Sequence, residues 1–208
     1  MIGYGCGLFQ TAYIYGRTQG VDIRNLGSGN AGTTNVLRNF GRRAGIYVFI
    51  GDLAKSMIAL LIVWLIFRGR YPDSVRLLMT YAGLGAIVGH CFPFYMQFRG
   101  GKGIACTAGL ILGFSPVLAL VGFVVFFGLL ALTHYVSLCS LMLTLSFFLG
   151  TVIMGQMGVF GMPAAALCEM YVVVLVIMAL TWFQHRANIK RLLAGTETRT
   201  YLFKKKGK

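Results

Sequence analysis

The sequence predicts an all-α membrane protein that crosses the bilayer seven times and folds as a single domain over residues 1–208. Two observations support this fold class. The chain is 57% hydrophobic and only 12% charged, which is too apolar for a domain with a solvated surface. Apolar runs of bilayer-crossing length also recur along the whole chain, and such runs are typical of membrane helices.

The basic residues predict how the helices are oriented. The chain has 19 Lys and Arg against 5 Asp and Glu, a net charge of +14, and Lys and Arg collect in the cytoplasmic loops of membrane proteins. We therefore expect the N-terminus outside and the C-terminus in the cytoplasm, with Arg68, Arg70 and Arg76 outside. Such a charged face suits anionic lipids or substrates, whereas nucleic-acid binding is disfavoured because spans separate the basic residues. Lys55 lies within a span, and the other basic residues fall on the cytoplasmic side: Arg17, Arg24, Arg38, Arg42, Arg43, Arg99, Lys102, Arg186, Lys190, Arg191, Arg199, Lys204, Lys205, Lys206 and Lys208.

The first three spans differ in length and polarity. Residues 1–15 are apolar and Gly-rich but short for a span, so they predict a short or tilted helix. Residues 44–67 and 77–98 predict the second and third spans. Asp52 and Lys55 lie three residues apart in the second span, on one helix face where they can pair. We interpret them as a structural pair rather than as catalytic groups, although ionisable residues inside a span are candidates for function.

The remaining spans follow from apolar runs and one break. Ser115 and Pro116 interrupt residues 104–132, which predicts a short fourth span and a fifth, although a single crossing here would invert the later segments. Residues 136–154 and 164–183 predict the sixth and seventh spans. The five cysteines have no CxxC or metal-ligand spacing, which favours buried free thiols over disulfides.

The first of three polar segments is Gly-Ser-Gly-Asn-Ala-Gly-Thr-Thr-Asn, residues 27–35, with Arg38 one helical turn further on. Glycines allow close approach of a ligand to the backbone, and Ser, Thr and Asn supply neutral hydrogen bonds. The segment therefore resembles a cradle for phosphate, with an ordinary Gly/Ser/Asn loop as the alternative.

The second polar segment covers residues 89–107 and contains Arg-Gly-Gly-Lys-Gly at residues 99–103. Glycine N–H groups beside Lys and Arg form the concave, positive surface that binds phosphate oxygens. A helix that begins near Ile104 would direct its positive N-terminal end to the same point. The alternative is a basic membrane loop whose glycines permit tight turns.

The third polar segment covers residues 185–197, where His185 and Asn188 share one face of a predicted helix that ends at Gly195. An amphipathic basic helix on the membrane surface is the alternative, and Lys204, Lys205 and Lys206 would also suit it.

All three polar segments fall on the same predicted face and offer few carboxylates, with only Asp22 and Glu197 nearby. This shortage argues against a divalent-metal site and against a carboxylate-based hydrolase, and it favours a site for more than one phosphate. An anion channel or transporter with a basic Gly-rich filter is the rival class. We see no internal repeat, and polar groups on one face favour a binding site over a pathway.

The three segments resemble motifs of the bacterial membrane acyl-phosphate:glycerol-3-phosphate acyltransferase family, whose members carry GSGNxGxTN, GHxFPxFxxFKGGKGxA and HxxNIxRLLxGxE. The chain has these motifs in the same order and with the same spacing, at residues 27–35, 89–105 and 185–197. It departs from them at Arg99, where Lys is usual, at Cys106, where Thr is common, and in its shorter first span.

The resemblance implies a single integral membrane acyltransferase domain that makes lysophosphatidic acid. The 1-hydroxyl of glycerol 3-phosphate would attack the carbonyl of a long-chain acyl phosphate and release inorganic phosphate, in the first acylation of bacterial phospholipid synthesis. A separate soluble phosphate acyltransferase would supply the donor, so neither acyl carrier protein nor coenzyme A is used directly. The resemblance further implies a monomer without cofactor or metal in the bacterial inner membrane, with its active site facing the cytoplasm.

The resemblance also assigns roles to residues. We expect catalytic roles for Ser28, Lys102, His185 and Asn188. Either His185 or His90 could be the base, but our preferred hypothesis is that a substrate phosphate oxygen takes the hydroxyl proton while His185 and Asn188 orient glycerol 3-phosphate. The expected substrate-binding and phosphate-binding residues are Gly27, Gly29, Asn30, Thr34, Asn35, Arg38, His90, Arg99, Gly100, Gly101 and Gly103.

Overall fold

The computed structural model describes residues 1–201, and every regular element in that range is helical. Lys204, Lys205, Lys206 and Lys208, which the charge argument placed on the cytoplasmic side, lie outside the described residues. The α-helices are α1 (Ile2–Gly7), α2 (Thr11–Thr18), α3 (Thr33–Phe40), α4 (Arg42–Phe67), α5 (Val75–Cys91), α6 (Ile104–Phe114), α7 (Pro116–Thr133), α8 (Val136–Gln156), α9 (Ala164–Gln184) and α10 (Arg186–Leu193).

Five helical stretches are long and apolar enough to cross a bilayer, which agrees with the predicted class of helical membrane protein. They are Arg42–Phe67, Pro72–Met96, Pro116–Thr133, Val136–Gln156 and Ala164–Gln184. The short helix α6 has 11 residues, and the first apolar segment is divided into α1 and α2. Seven crossings and the orientation of the termini stay predictions.

The N-terminal segment is not one tilted helix, because the chain leaves the helical path at residues 8–10. Contacts with α5 explain this break in the helical path. The side chain of Gln10 is fully buried and donates to the carbonyl of Gly7 at 3.2 Å and, on α5, to the carbonyls of Gly89 at 3.2 Å and His90 at 3.1 Å. At Gly3 and Gly7, an added Cβ would overlap backbone atoms of α5, so α1 and α5 meet backbone to backbone.

The predicted break at Ser115 and Pro116 is confirmed. Ser115 is extended, with φ −156° and ψ 117°, and α7 begins at Pro116, a first-turn position that suits proline. Helix α6 runs back along α5, since Gly103 lies beside Ile87 at one end and the Arg76 guanidinium donates to the Phe114 carbonyl at 3.1 Å at the other.

The main apolar core lies among α5, α6, α8 and α9 and includes Leu110, Phe114, Phe147, Met170 and Ile177. All five cysteines are free thiols, as predicted, but only Cys91, Cys106 and Cys139 are buried, since Cys6 is partly buried and Cys168 is exposed. The three polar segments meet at one end of the bundle, where Ala31 lies against Gly101 and Lys102 donates to Asn188. That end carries the candidate site.

Candidate active site

The three polar segments and α8 surround a cavity of 160 Å³. A larger cleft of 770 Å³ adjoins it and shares several of its lining residues. The structure therefore brings the predicted site residues together in two groups. The cavity is lined by Ser28, Asn30, Thr34, Asn35, Arg38, His90, Lys102, Gly103, His185 and Asn188, whereas Gly27, Gly29, Arg99, Gly100 and Gly101 line the cleft.

Asn35 holds the first Gly-rich loop in shape. Its Oδ1 accepts from the Ser28 N–H at 3.0 Å, and its Nδ2 donates to the carbonyls of Leu26 at 2.9 Å and Ile23 at 3.3 Å. A Cβ at Gly27, where φ is +55°, would collide with this amide. The Asn35 side chain therefore shapes the loop, and its expected contact with phosphate stays a prediction.

The start of α3 adds a residue that the sequence did not single out. The Thr33 hydroxyl lines the cavity and is buried without a hydrogen-bond partner. Gly32 caps the helix and offers no side chain to its first-turn N–H groups. Thr33 and Thr34 are adjacent and chemically alike, so only the helix geometry shows that the Thr33 hydroxyl is the buried one.

The second Gly-rich loop folds back on the end of α5. The N–H groups of Gly100 and Gly101 donate to the carbonyls of Cys91 and His90, each at 3.1 Å. A Cβ at Gly100 would overlap the His90 carbonyl, and a Cβ at Gly101 would overlap His90 Nε2, so both positions need glycine. Gly103, with φ +82°, then begins α6 with no side-chain cap.

A network centred on Glu197 joins the second and third segments. Lys102 Nζ donates to Asn188 Oδ1, and Asn188 Nδ2 donates to Glu197 Oε1 at 2.7 Å. Ser137 of α8 donates to the same Glu197 oxygen at 3.0 Å, and Arg191 Nε donates to Oε2 at 2.7 Å. Sequence reasoning left Glu197, Ser137 and Arg191 out of the site, although Glu197 closes the third motif and was the one carboxylate in that segment.

The charges in this network are tuned by burial and pairing. Burial lowers the pKa of Lys102 to about 8, although the Glu197 carboxylate opposes that change. For Glu197, burial raises the pKa, but hydrogen bonds from Asn188, Arg191 and Ser137 outweigh it and leave the pKa below its usual value. Glu197 is therefore an anion among cations.

His185 caps the end of α9 and lines the cavity. Its Nδ1 lies 2.8 Å from the Thr181 carbonyl, and because a carbonyl only accepts, Nδ1 carries the proton. Burial lowers the pKa of His185 to about 4, and Lys102 lowers it further. The ring is thus neutral, and its Nε2 offers a lone pair.

Residues 196–201, here called the C-terminal strap, engage Arg38. The Arg38 guanidinium donates to the Thr198 carbonyl at 3.1 Å and to the Thr200 hydroxyl at 2.8 Å. The Thr200 N–H donates to the His134 carbonyl at 2.8 Å, which ties the strap to the turn between α7 and α8. Burial lowers the pKa of Arg38.

His90 reaches the cavity wall with both ring nitrogens facing protein groups. Nδ1 lies 2.8 Å from Lys55 Nζ, and Nε2 faces the backbone of Gly101. His90 thus packs behind the loop, and its expected phosphate contact and its alternative role as a base stay predictions.

An apolar groove of 330 Å³ continues from the cavity between α4, α6, α7 and α8. Phe49, Ile104 and Phe126 line both spaces, so the groove and the cavity meet at the start of α6. One molecule with a polar head and an apolar tail can therefore occupy both.

Comparison with known proteins gives one consistent result. The family model described as glycerol-3-phosphate acyltransferase matches residues 1–195. A glycerol-3-phosphate acyltransferase of Thermoanaerobacter sp. (strain X514) is 40% identical over 200 residues, which cover 96% of this chain and 92% of that protein. The protein of the same name from Aquifex aeolicus (strain VF5) is 38% identical over 199 residues, which cover 96% of each.

Two solved structures are similar over nearly the whole chain. Both are of PlsY (YgiH), an integral membrane glycerol 3-phosphate acyltransferase. The glycerol 3-phosphate form has a TM-score of 0.82 and 36% identity, and covers 97% of this chain and 96% of that one. The lysophosphatidic acid form has a TM-score of 0.80 and 35% identity, and the match covers 96% of this chain and 92% of that one.

Proposed function

Because this chain belongs to the glycerol-3-phosphate acyltransferase family, the PlsY family, we propose that it transfers a long-chain acyl group from an acyl phosphate to the 1-hydroxyl of glycerol 3-phosphate. Family membership makes it a multi-pass membrane acyltransferase of lipid biosynthesis. The proposal adds the acyl phosphate donor, the products lysophosphatidic acid and inorganic phosphate, and the first acylation step of bacterial phospholipid synthesis.

The junction of polar cavity and apolar groove is the observation that carries this proposal. A small phosphorylated alcohol fits a cavity lined by Lys102, Arg38 and hydroxyl groups, while an acyl chain fits a groove lined by Phe123, Phe126 and Phe127. The solved relatives in their glycerol 3-phosphate and lysophosphatidic acid forms support the same pair of substrate and product.

Phosphate groups are the natural ligands of this cavity. Lys102 and Arg38 supply positive charge, and Ser28 and Thr33 supply hydroxyl donors. The uncapped N-termini of α3 and α6 add backbone N–H groups. We propose that these groups share the two substrate phosphates.

Acyl transfer requires the 1-hydroxyl of glycerol 3-phosphate and the acyl carbonyl to be held next to each other. The 1-hydroxyl oxygen bonds to the acyl carbonyl carbon, the bond from that carbon to the phosphate oxygen breaks, and phosphate leaves. Gly103 and Ile104 line the cavity where the apolar groove begins, so N–H groups of the first turn of α6 are suited to stabilise the developing oxyanion. An acyl phosphate has a good leaving group, so holding the reactants in place provides much of the acceleration.

The hydroxyl proton goes to a substrate phosphate oxygen in this proposal. A phosphate monoester has a second pKa of about 6, which makes it a stronger base than His185, whose pKa is lowered to about 4. His185 Nε2 accepts a hydrogen bond from glycerol 3-phosphate, and Asn188 orients it together with Lys102. His185 and Asn188 thus position the nucleophile.

The proposal extends to cellular setting and partners. The active site faces the cytoplasm from the bacterial inner membrane, where a separate soluble phosphate acyltransferase delivers the donor. The enzyme acts as a monomer without metal or cofactor, and it does not use acyl carrier protein or coenzyme A directly.

The test uses the detergent-purified protein supplemented with lipid. Palmitoyl phosphate and glycerol 3-phosphate are added, and release of phosphate and formation of lysophosphatidic acid are measured, with parallel reactions containing EDTA or palmitoyl-CoA. We expect EDTA-insensitive turnover with acyl phosphate and none with palmitoyl-CoA. Turnover with palmitoyl-CoA alone would refute the donor, and no product from folded protein would favour the transporter alternative, which flux assays in vesicles then test.

A further inference from the structure

A group of buried charges forms part of the cavity wall, since Asp52 and His90 line the cavity, and it takes no part in the proposed reaction. Lys55 Nζ donates to the Phe9 carbonyl at 2.6 Å and contacts His90 Nδ1 at 2.8 Å and Asp52 Oδ1 at 2.9 Å. An ammonium has three N–H groups, and each has a partner here. The three ionisable side chains are at most 5% exposed, and such groups inside a membrane bundle are costly enough to need a reason.

The lysine determines which form of His90 is present. An ammonium only donates, so His90 Nδ1 accepts and the proton of the neutral ring is on Nε2. Nε2 faces the backbone of Gly101, at a point where the Ala31 carbonyl also lies close. The imidazole therefore fills the space beneath both Gly-rich loops.

The break between α1 and α2 completes the group. Phe9 provides the carbonyl for Lys55, and Thr11 donates its hydroxyl proton to Asp52 at 3.0 Å. Gln10 donates to the His90 carbonyl from one side, and the Gly101 N–H donates to it from the other. The end of α5 is thus fixed between the N-terminal break and the loop that carries Lys102.

We propose that Asp52 and Lys55 are positioning residues for acyl transfer. They hold His90 in one tautomer and orientation, and His90 supports the loop at residues 100–102, which brings Lys102 to Asn188 in the cavity. The effect on kinetics rests on the function proposed above, whereas the effect on the loop does not.

The first test measures hydrogen exchange of the Gly100 and Gly101 amides in detergent-solubilised Lys55→Met, which keeps side-chain length and removes the charge. We expect these two amides to exchange at least about tenfold faster than in the wild type, since their support is lost. Met170→Ala, a core change in α9 remote from the loop, is the control for lower stability, and it should leave this pair unchanged. If Lys55→Met does not fold, Asp52→Asn with Lys55→Met avoids the unpaired carboxylate and takes its place.

The second test compares the effects on KM and on kcat in the same variants. We expect Lys55→Met to raise the KM for glycerol 3-phosphate by about tenfold or more, because a misplaced loop weakens binding, with kcat at saturation lowered far less. Nitrogen NMR of His90 should change from a single Nε2–H tautomer to a mixture. Unchanged exchange at Gly100 and Gly101, or a fall in kcat with KM intact, would overturn the proposal. If acyl phosphate is not the donor, the exchange and NMR results still decide it.

Discussion

Two buried groups of charges lie within the same end of the bundle and differ in how completely they are satisfied. In the helix cluster, Asp52, Lys55 and His90, one anion balances one cation, and the lysine donors all have protein partners. In the loop cluster, Glu197 is one carboxylate among three cations, Lys102, Arg38 and Arg191. The Arg191 side chain is 44% exposed, against 5% for Lys55. A neutral cluster whose lysine donors all have protein partners is suited to support structure, whereas a more exposed cluster with excess positive charge is suited to bind an anion.

Removal of a loop-cluster cation should have the largest effect. Lys102→Met should lower kcat/KM by about 10³-fold, because in the proposed reaction Lys102 contacts a substrate phosphate and stabilises the charge that develops there. Lys190→Met removes the same charge from an exposed position on α10 and should change kcat/KM by less than about twofold. Steady-state assays of both variants measure kcat/KM. Equal losses in the two variants would show that Lys102 acts only through the general positive charge of the surface.

Neutralising the single carboxylate should affect substrate use and stability together. Glu197→Gln removes the negative charge and leaves one acceptor oxygen, which cannot serve both Arg191 on one side and Ser137 with Asn188 on the other, so we expect the KM for glycerol 3-phosphate to rise by about ten- to a hundredfold. Thermal unfolding should shift downward in the same variant. Glu169→Gln, whose carboxylate accepts from the half-exposed Tyr81 in another part of the bundle, is the matched control. An unchanged KM would show that the loop cluster is structural, like the helix cluster.

His185→Gln tests the route of the proton. If His185 only orients glycerol 3-phosphate, turnover should persist within about tenfold while KM rises, since loss of a general base would reduce kcat by about 10²–10⁴-fold. Measurement of kcat and of glycerol 3-phosphate binding separates the two cases. Abolished turnover with binding intact would make His185 the base.

The pH dependence of kcat/KM should show the smallest effect, but it can be assigned to one residue, Lys102. The pKa of Lys102 is lowered to about 8, so Lys102 loses its charge, and with it phosphate affinity, as pH rises through that value. We expect kcat/KM to fall by about tenfold for each unit above pH 8. Lys102→Arg should remove this alkaline limb, because arginine stays protonated. A limb that persists in Lys102→Arg would assign it to another group.

The features that could be predicted from the sequence are those that a short stretch of residues determines. Hydropathy predicted the long helices, and Pro116 predicted the break before α7. Basic loops placed the three motifs at one end, where the structure has them. Gln10 and Ser137 could not be interpreted in this way, because their partners lie on helices far away in sequence. An Asn in a Gly-rich segment suits a phosphate contact and a loop-shaping role equally, and the contacts of Asn35 with Ser28 and Leu26 could not be predicted because they depend on the folded loop.

The break between α1 and α2 also orders the assembly of the protein. The hydrogen bond from Thr11 requires Asp52 of α4. Those from Gln10 require the carbonyls of Gly89 and His90 on α5, about 80 residues further along the chain. Until α5 has entered the membrane, Gln10 lacks its two acceptors on that helix, and Gly3 and Gly7 of α1 lack the helix against which they pack. The α1–α2 segment precedes α5 in the chain but reaches its final place only after α5 has entered the bundle. Faults in the synthesis or insertion of α5 should therefore leave α1 and α2 exposed to quality-control proteases.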